Sequence, residues 1–569
     1  MKKIGHILFG GKFWLLKSLL ILAVINIAAT QVHTRLDLTA EKRFTLSYGT
    51  KKILKELKEP VNIQVYLEGN LPAAFKKMAA TTADILTEFK EVAGNNISIE
   101  FIDPTTTMDG TEIKFSDSLT QLGLIPINLT SQREDGQEQQ LVFPYAFIST
   151  ANNAAPVTLY KGKTPRVSFQ ETSNAESLLE YQFASAIANV TLEQKHVVAY
   201  ATGNGEPEQL DTYDLVENVL SPNYKLFTFN LETQPFVPDE FEVLIIVKPT
   251  KPFTDQQKLK IDQFVMRGGK LMLFMDKLNA ELDSLGLGAG RVVAYDRDLQ
   301  LNDLLFKYGV RVNPDLVMDL QCDVLPFDVN GNGQFELLPW NYFLVMEPGS
   351  QSSITKNLGY VSGKFVNSID TVGEDHIKKT VLLHSSPNAR TIATPAIISG
   401  SENEIAAQSE RYDKANIPTA VLLEGKFESL YARRLMQWMK DSLAKYQVPY
   451  TQTAAEDGKI IVVADGDVVL NGVVKGSQPI SMGMNAYTFG TQREFPFANK
   501  DFLLNCMSYM LDDTGLSESR SKEIVPRLLD SKLVQAEENN WKLINIALPV
   551  ILIIIFAFIY NFLRGKKYK

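Results

Sequence analysis

Three acidic residues follow apolar runs typical of buried strands, and they are the side chains best placed for chemistry. Glu206, Asp276 and Asp465 each lie just past the carboxyl end of such a run. Open α/β sheets bind ligands at that edge, so these carboxylates, with Gly203 and Gly205 in the loop before Glu206, form a candidate ligand site. Carboxylates there could bind sugar hydroxyls or a cation. The alternative is that they cap helices and shape turns.

Two glycine-containing segments resemble known binding loops but depart from them. The segment 203–207, Gly-Asn-Gly-Glu-Pro, follows a strand as a dinucleotide-binding loop does, yet the third glycine of GxGxxG would fall at Glu208. The segment 328–333 matches the opening of an EF-hand loop, but Pro339 stands where a bidentate Glu is needed. This favours a polar Asn-Gly turn joining two strands over a weak calcium site.

The remaining reactive residue types show no spacing that supports catalysis. The five histidines show no HxxxH or HExxH spacing, and no GxSxG elbow or GxxxxGK[ST] phosphate loop occurs. The two cysteines, Cys322 and Cys506, are too far apart in sequence for a zinc or iron–sulfur motif. The sequence therefore predicts no catalytic residues, no metal site, no cofactor and no enzymatic activity.

Length and charge limit the class of protein. The chain has 569 residues, which predicts two or three folded units. Lys and Arg number 57 against 66 Asp and Glu, a formal charge of -9. This charge does not favour a nucleic-acid backbone as the main partner.

Apolar segments at both ends predict two transmembrane helices, at residues 13–30 and 543–563. The outer tails, 1–12 and 564–569, carry several Lys and Arg residues and no acidic residue, so both are predicted to be cytoplasmic. Everything between the helices then lies outside the cytoplasm. A cleaved signal peptide is the alternative for the first segment, and it would leave the body on the same side.

Polar residues within these two segments are predicted to contact a partner. Asn26 lies in the first segment and Asn545 near the outer end of the second, and an amide facing lipid leaves costly unsatisfied hydrogen-bonding groups. Such residues usually face another helix. Both helices are therefore predicted to flank a multi-spanning permease, with Pro549 bending the second; alternatively, Asn26 faces the chain's own second helix and Asn545 reaches the headgroups.

Periodicity divides the segment between the anchors into two α/β domains. The first, 31–189, contains a strand at 61–67, a helix at 75–92 and a strand at 97–102. This βαβ order resembles a thioredoxin-like fold, but no cysteine precedes Cys322, which excludes thioredoxin-type redox chemistry there.

The second domain, 190–515, is predicted to be a doubly wound α/β sheet. Its apolar runs show no alternation, which is typical of parallel strands covered on both faces. A capping box, Thr254-x-x-Gln257, opens a helix that Gly268 and Gly269 end. Polar inserts near 279–300, 346–356 and 400–416 are predicted to be surface loops, and residues 516–542 a juxtamembrane segment. The four runs are 196–202, 241–247, 270–275 and 459–464.

Several segments closely resemble the GldG family of gliding-motility-associated ABC-transporter auxiliary subunits. The most specific is the segment from Arg35 to Ser47, directly after the first apolar run, followed by Val-Tyr-Leu-Glu-Gly-x-Leu-Pro at 65–72. The resemblance spans nearly the whole chain. The other segments that carry it are 203–207, 304–315, 420–427, 499–505 and 520–524.

The resemblance implies a bacterial inner-membrane protein, mainly periplasmic, that works with a separate permease and a separate ATPase. Its central region is similar to a transporter-auxiliary domain also found in an intraflagellar-transport protein, a fold related to class I glutamine amidotransferases. The chain lacks the cysteine nucleophile that a catalytic relative needs after a strand. The expected function is a non-enzymatic periplasmic subunit of a gliding-motility ABC transporter; the alternative is a periplasmic solute receptor, for example for a sugar.

Overall fold

The structure is a computed structural model, and the account below is restricted to the residues that it describes. The first predicted membrane segment, 13–30, lies largely outside them: residues 19–24 and 26 are helical, and the rest of that prediction is not addressed. The described residues are 19–24, 26, 45–108, 112–122, 124, 126–133, 136–160, 169–282, 291–328, 332–373, 376–399, 409–474, 476–521 and 531–568.

The amino-terminal part is a four-stranded sheet covered by helices. Strand β1 pairs in parallel with β2 and antiparallel with β5, which pairs antiparallel with β6, giving the order β2-β1-β5-β6. The predicted strand, helix, strand order is confirmed. The elements are α1 Tyr48–Lys55, β1 Val61–Val65, α2 Ala73–Ala93, β2 Ile97–Phe101, α3 Phe115–Gln121, the hairpin β3 Ile127–Arg133 and β4 Gly136–Val142, β5 Tyr145–Ser149, β6 Ala154–Thr158 and α4 Phe169–Thr191.

One core holds this sheet to its helices, and a later segment of the chain joins it. Buried side chains of β1, α2 and α4 form the core, and Leu516 of the 3₁₀ helix Leu516–Ser521 packs into it. Gly49 in α1 allows the close approach, since a Cβ there would lie 2.7 Å from the Leu516 nitrogen. The segment predicted to be juxtamembrane from residue 516 therefore begins with a turn packed against the amino-terminal helices.

A sheet of ten strands forms the centre of the larger part, and the four apolar runs supply four of its strands. Five neighbouring strands, in the order β8-β7-β9-β10-β22, are parallel. In β7, β9, β10 and β22, side chains of successive residues alternate between two cores, so both faces of these four strands are buried as predicted. These strands are β7 Val197–Thr202, β8 Lys225–Asn230, β9 Val243–Val247, β10 Lys270–Phe274 and β22 Gly458–Val463.

Helices connect and cover these strands. Helix α5, Asp255–Met266, begins with the predicted capping box: Gln257 donates its backbone N–H to Thr254 Oγ1 and accepts from the Thr254 N–H. It ends before Gly268, whose φ of +97° suits glycine. A π-helix, Asp214–Leu220, links β7 to β8, and α8, Asn499–Met510, follows β22.

The other half of the central sheet is antiparallel, which differs from the doubly wound parallel sheet predicted for 190–515. Strand β21 pairs antiparallel with β22, β18 with β21, and β15 with β18 and β14. Buried runs cannot reveal direction, because a central strand is covered on both faces in either case. The strands are β14 Cys322–Phe327, β15 Glu336–Pro348, β16 Val361–Ser362, β18 Lys378–His384 and β21 Pro418–Gly425.

A satellite core with four packed aromatic rings lies beside the antiparallel half. Trp340 packs edge-on against Tyr342, Phe343 and Phe365.

The EF-hand-like segment joins β14 to β15, and the Asp328 carboxylate accepts the backbone N–H groups of Asn332 and Gly333, as the turn prediction expects. Smaller elements are β11 Arg291–Ala294, α6 Asn302–Tyr308, β12 Val310–Val312, β13 Asp315–Asp319, β17 Ile369–Thr371, β19 Ala389–Ala393, β20 Ala396–Ser399, α7 Gln437–Lys445, β23 Val473–Val474 and β24 Gln478–Pro479.

Helix α9, Ser531–Tyr568, forms a separate unit. Its stretch Asn540–Lys566 is long and apolar enough to cross a membrane, and the most apolar 18-residue window within it has a mean hydropathy of 2.8. It contains the predicted span 543–563, with Asn545 exposed and Pro549 inside the helix.

Candidate functional site

The carboxyl ends of three neighbouring parallel strands bring charged side chains together. Lys248 directly follows β9. One residue separates Asp276 from the end of β10, and one residue separates Asp465 from the end of β22. These strands lie side by side, so the predicted pair Asp276 and Asp465 meets at one edge of the sheet. Asp467 completes a cluster in which the carboxylate oxygens of the three aspartates lie within 4.8 Å of one another.

A lysine ammonium lies among these carboxylates. Lys248 Nζ is 2.7 Å from Asp467 Oδ2, 3.5 Å from Asp276 Oδ2 and 3.0 Å from Glu281 Oε2. Arg297 pairs with Glu281 and lies 4.0 Å from Asp276 Oδ2. The Lys248 side chain is 11% exposed, so this ammonium is almost removed from water and depends on its three partners.

Backbone N–H groups satisfy the remaining oxygens of the two buried aspartates. Gly466 donates its N–H to Asp276 Oδ1 at 2.7 Å. Lys364 and Asp467 donate theirs to the two oxygens of Asp465, each at 2.7 Å. Glycine is required at position 466, because a Cβ there would lie 3.0 Å from the Lys248 Cα and 2.5 Å from its Cβ. The cluster therefore fastens three strand ends and their loops to one another.

Burial and mutual repulsion set the protonation of the three aspartates. Burial raises the pKa of Asp276 to about 6, against the attraction of Lys248. Burial, together with the charges of Asp467 and Asp276, raises the pKa of Asp465 well above its usual range. Burial opposes ionisation of Asp467 as well, but the cations Lys248 and Lys364 lower its pKa below the usual value. Burial alone would lower the Lys248 pKa, yet the carboxylates raise it well above its usual value.

Three close carboxylates are a ligand set that a hard cation such as magnesium prefers. In this cluster, however, a lysine ammonium already supplies the positive charge, and both buried aspartates also accept backbone N–H groups. The arrangement therefore acts as an internal ion-pair network at the sheet edge rather than as an open coordination site.

Glu206 does not join this cluster, although the sequence groups it with Asp276 and Asp465. Its Oε2 accepts the Asn204 N–H at 2.7 Å, while its Oε1 is buried without a hydrogen-bond partner among the described residues. Burial raises the Glu206 pKa to about 7. The carboxyl group lies in the loop after β7, where the strand order reverses between β7 and β9.

The glycines of this loop serve its backbone conformation. Gly203 and Gly205 have φ values of +112° and +78°, a region that favours glycine. A Cβ at Gly205 would lie 2.1 Å from Thr250 Oγ1. The Asn204 amide exchanges hydrogen bonds with the Gln257 amide at 3.0 and 3.3 Å, which ties the loop to the start of α5.

Two cavities lie elsewhere in the described part of the chain. One of about 840 Å³ has Tyr181, His196 and Asp512 among its lining residues, between the amino-terminal helices and the larger part. The other, of about 580 Å³, is lined by Phe306, Arg311 and other residues near α6. Neither lining includes Glu206, Asp276 or Asp465.

Sequence reasoning missed four members of the cluster. Lys248 and Asp467 obey the same strand-end rule that selected Asp276 and Asp465, so that rule applied to every charged residue would have found them. Glu281 and Arg297 come from the insert 279–300, predicted to be a surface loop, and no pattern in it indicates their inward direction.

The predicted permease contacts lie in helical residues. Asn26 donates its side-chain N–H to the Leu22 carbonyl at 3.3 Å, one helical turn earlier, so part of its amide is satisfied within its own helix. Asn545 and Pro549 are both exposed on α9. These positions leave the permease contact a prediction.

Comparison with known families gives two matches. The model of an auxiliary family described as an ABC-type uncharacterized transport system matches residues 195–506, just over half of the chain. A domain of unknown function matches residues 40–149. Comparison with curated proteins finds no match.

Solved structures show only distant similarity. The mmIFT52 N-terminal domain is 12% identical, with 56% of this chain and 98% of that chain covered and a TM-score of 0.31. A ThuA-like protein from Parabacteroides merdae is 9% identical over 60% and 94% of the two chains, with a TM-score of 0.25. An exo-beta-1,4-mannosidase from an Opitutaceae bacterium is 10% identical over 79% and 50%, with a TM-score of 0.20.

Proposed function

The chain belongs to the auxiliary family of ABC-type uncharacterized transport systems, and we propose that it is a non-enzymatic, membrane-anchored subunit of such a transporter. Its role in an ABC transport system follows from the family. The proposal adds that a separate permease spans the membrane and a separate ATPase hydrolyses the nucleotide. The missing GxxxxGK[ST] loop supports the assignment of hydrolysis to another chain.

The state of the strand-end carboxylates is the observation that carries this proposal. A solute receptor needs a concave site whose polar groups face the ligand. Asp276 instead pairs with Lys248 and accepts a backbone N–H, and Asp465 accepts two backbone N–H groups. Neither aspartate lines either of the two cavities. This supports a subunit that works through protein contacts rather than the alternative of a sugar receptor.

The segments that resemble the GldG family support gliding motility as the process served. Within the matched family region they include 203–207, 304–315 and 420–427. The loop 203–207 makes the close contact with Thr250, and its sequence is therefore needed for the fold.

The amino-terminal sheet order, with parallel β1 and β2 followed by antiparallel β5 and β6, supports the thioredoxin-like assignment of that part.

The proposed location is the bacterial inner membrane, with both tails cytoplasmic and the body periplasmic. The apolar stretch Asn540–Lys566 supports one anchor, and cations at its carboxyl end support the orientation. The first anchor, 13–30, rests on its sequence pattern.

Labelling of introduced cysteines tests this topology. Asn152 is exposed in the body and Tyr568 ends α9. In intact spheroplasts, Asn152→Cys should react with a membrane-impermeant maleimide, because it faces the periplasm, and Tyr568→Cys should react only after lysis. Cys322 and Cys506, half-buried and buried, set the background in the unmodified chain. Labelling of Tyr568→Cys in intact spheroplasts would contradict the proposed orientation.

Co-purification tests the assembly. The tagged full chain should retain the permease and the ATPase, whereas the chain alone should show no ATP turnover above background. Asn26→Leu with Asn545→Leu should weaken permease retention severalfold without preventing membrane insertion, since interhelical amide bonds contribute about 0.6–2 kcal/mol each.

The matched control is Asn561→Leu. Asn561 lies on the same helix as Asn545, near the end proposed to be cytoplasmic. Equal permease retention by the double variant would place the contact outside these helices. ATP turnover that follows the purified chain through repeated fractionation would contradict the non-enzymatic assignment.

A further inference from the structure

A surface around helix α7 exposes large apolar side chains next to cations. Met436 is 52% exposed, Trp438 41% and Tyr446 43%. On the opposite side of the helix, Met439 and Leu443 are buried and pack with Tyr431. The helix is therefore fixed by one face and presents the other to solvent.

The same surface is basic, although the chain as a whole is acidic. Between residues 426 and 447 there are five cations and two carboxylates, a local charge of +3 in a chain of net charge -9. Glu428 pairs with Lys307, and Asp441 accepts a hydrogen bond from Gln437 and forms no ion pair with a cation of the helix within the described residues. The cations are Lys426, Arg433, Arg434, Lys440 and Lys445.

Most of these cations lack an acidic partner within the described residues. Arg434 binds Asp303 at 2.7 Å, but Arg433, Lys440 and Lys445 form no ion pair there. Lys445 Nζ lies 5.1 Å from the centre of the Tyr446 ring. Charges that the fold leaves unpaired favour an external anion.

We propose that this surface, which we call the basic face, binds the anionic headgroups of the membrane that anchors the chain. We define the basic face as Lys426, Arg433, Arg434, Met436, Trp438, Lys440, Lys445 and Tyr446. Amphipathic rings together with Lys and Arg are typical of elements that lie at the headgroup level. The inference rests on the proposed anchoring by α9, which supplies a bilayer to the body at high effective concentration.

Charge favours an anionic lipid surface over a neutral one. Each Lys or Arg near an anionic surface contributes about 1 kcal/mol to binding, so three unpaired cations correspond to roughly a hundredfold preference. Arg434 also lines the cavity of about 580 Å³. The other cations there are paired with carboxylates, Lys277 with Asp296, Lys307 with Glu428 and Arg311 with Asp370, so the unpaired charge lies on the basic face itself. A phosphate-bearing surface complements the three unpaired cations.

Amide hydrogen exchange of the full chain in nanodiscs tests the proposal. Two lipid compositions are compared: phosphatidylcholine alone, and an equal mixture with phosphatidylglycerol. Exchange in residues 426–447 should slow by roughly tenfold in the anionic discs at low salt, since contact limits local opening, and the slowing should disappear at high salt. The variant Arg433→Glu, Lys440→Glu, Lys445→Glu should lose it at any salt concentration.

A matched variant controls for net charge. Lys55→Glu, Lys76→Glu, Lys90→Glu changes three exposed lysines in the amino-terminal part and should keep the slowed exchange. Equal protection in both lipids would indicate a protein contact or a second copy and overturn the proposal, as would no protection in either. Failure of the chain to enter the discs would instead contradict the anchoring on which the inference rests.

Discussion

Replacing Lys248 with Met is expected to lower the free energy of unfolding by about 3–5 kcal/mol. The methionine fills most of the volume but leaves Asp276, Asp467 and Glu281 without the ammonium that lies between them. Removing the cation leaves the buried carboxylates with mutual repulsion that no positive charge compensates, and this repulsion destabilises the native state. Urea unfolding of the full chain in detergent, followed by far-ultraviolet circular dichroism, measures it.

Two further variants isolate the cause. Lys277→Met removes a lysine that is even more buried but has one half-exposed partner, Asp296 at 2.9 Å, and should cost about 1 kcal/mol. Adding Asp467→Asn to Lys248→Met should recover part of the loss, because the two residues interact directly. If Lys248→Met cost no more than Lys277→Met, the cluster would not depend on its central cation.

Glu206→Gln is expected to change how stability depends on pH. The folded protein holds the Glu206 pKa at about 7, against an ordinary value of 4.5. The native state therefore binds the proton more tightly, so the contribution of Glu206 to stability is complete below about pH 4.5. It is lost progressively as the pH rises to about 7, a total of about 3 kcal/mol. Glutamine has no such proton and removes this dependence.

Urea unfolding of the full chain and of the variant is measured from pH 4 to pH 8, and the difference between their free energies of unfolding is taken at each pH. This difference should change by roughly 3 kcal/mol between the two ends of the series. Other titrating groups cancel in this difference. Glu208→Gln is the control, because it removes an exposed carboxyl group two residues away and should change stability by less than about 0.5 kcal/mol. A pH-independent difference for Glu206→Gln would show that its carboxyl group is solvated in the native state.

Burial predicted much of the fold, because apolar runs indicate which strands are covered. The runs that became β7, β9, β10 and β22 were located close to their observed bounds. Strand direction was the part that this signal could not give: β21 has a buried run like that of β9, yet it is antiparallel to β22. Strand direction depends on the segments that connect the strands, and these include the polar inserts. The composition of an insert does not specify at which end of the sheet the next strand begins.

The candidate site divides in the same way. The strand-end rule brought Asp276 and Asp465 together correctly, since their strands are neighbours. It placed Glu206 with them wrongly, because β9 lies between β7 and β10. The rule also selected carboxylates as ligands, whereas the neutralising cation, Lys248, comes from the chain itself.

The packing of Leu516 beside Gly49 has a mechanical consequence. Helix α1 lies near the start of the described body and the 3₁₀ helix near its end, and the 3₁₀ helix packs on α1 and α4. Arg520 reinforces this junction by stacking over the Tyr181 ring at 4.6 Å. A pulling force applied to the two ends would strain this short junction first, while the ten-stranded sheet would carry no tension until the junction had parted.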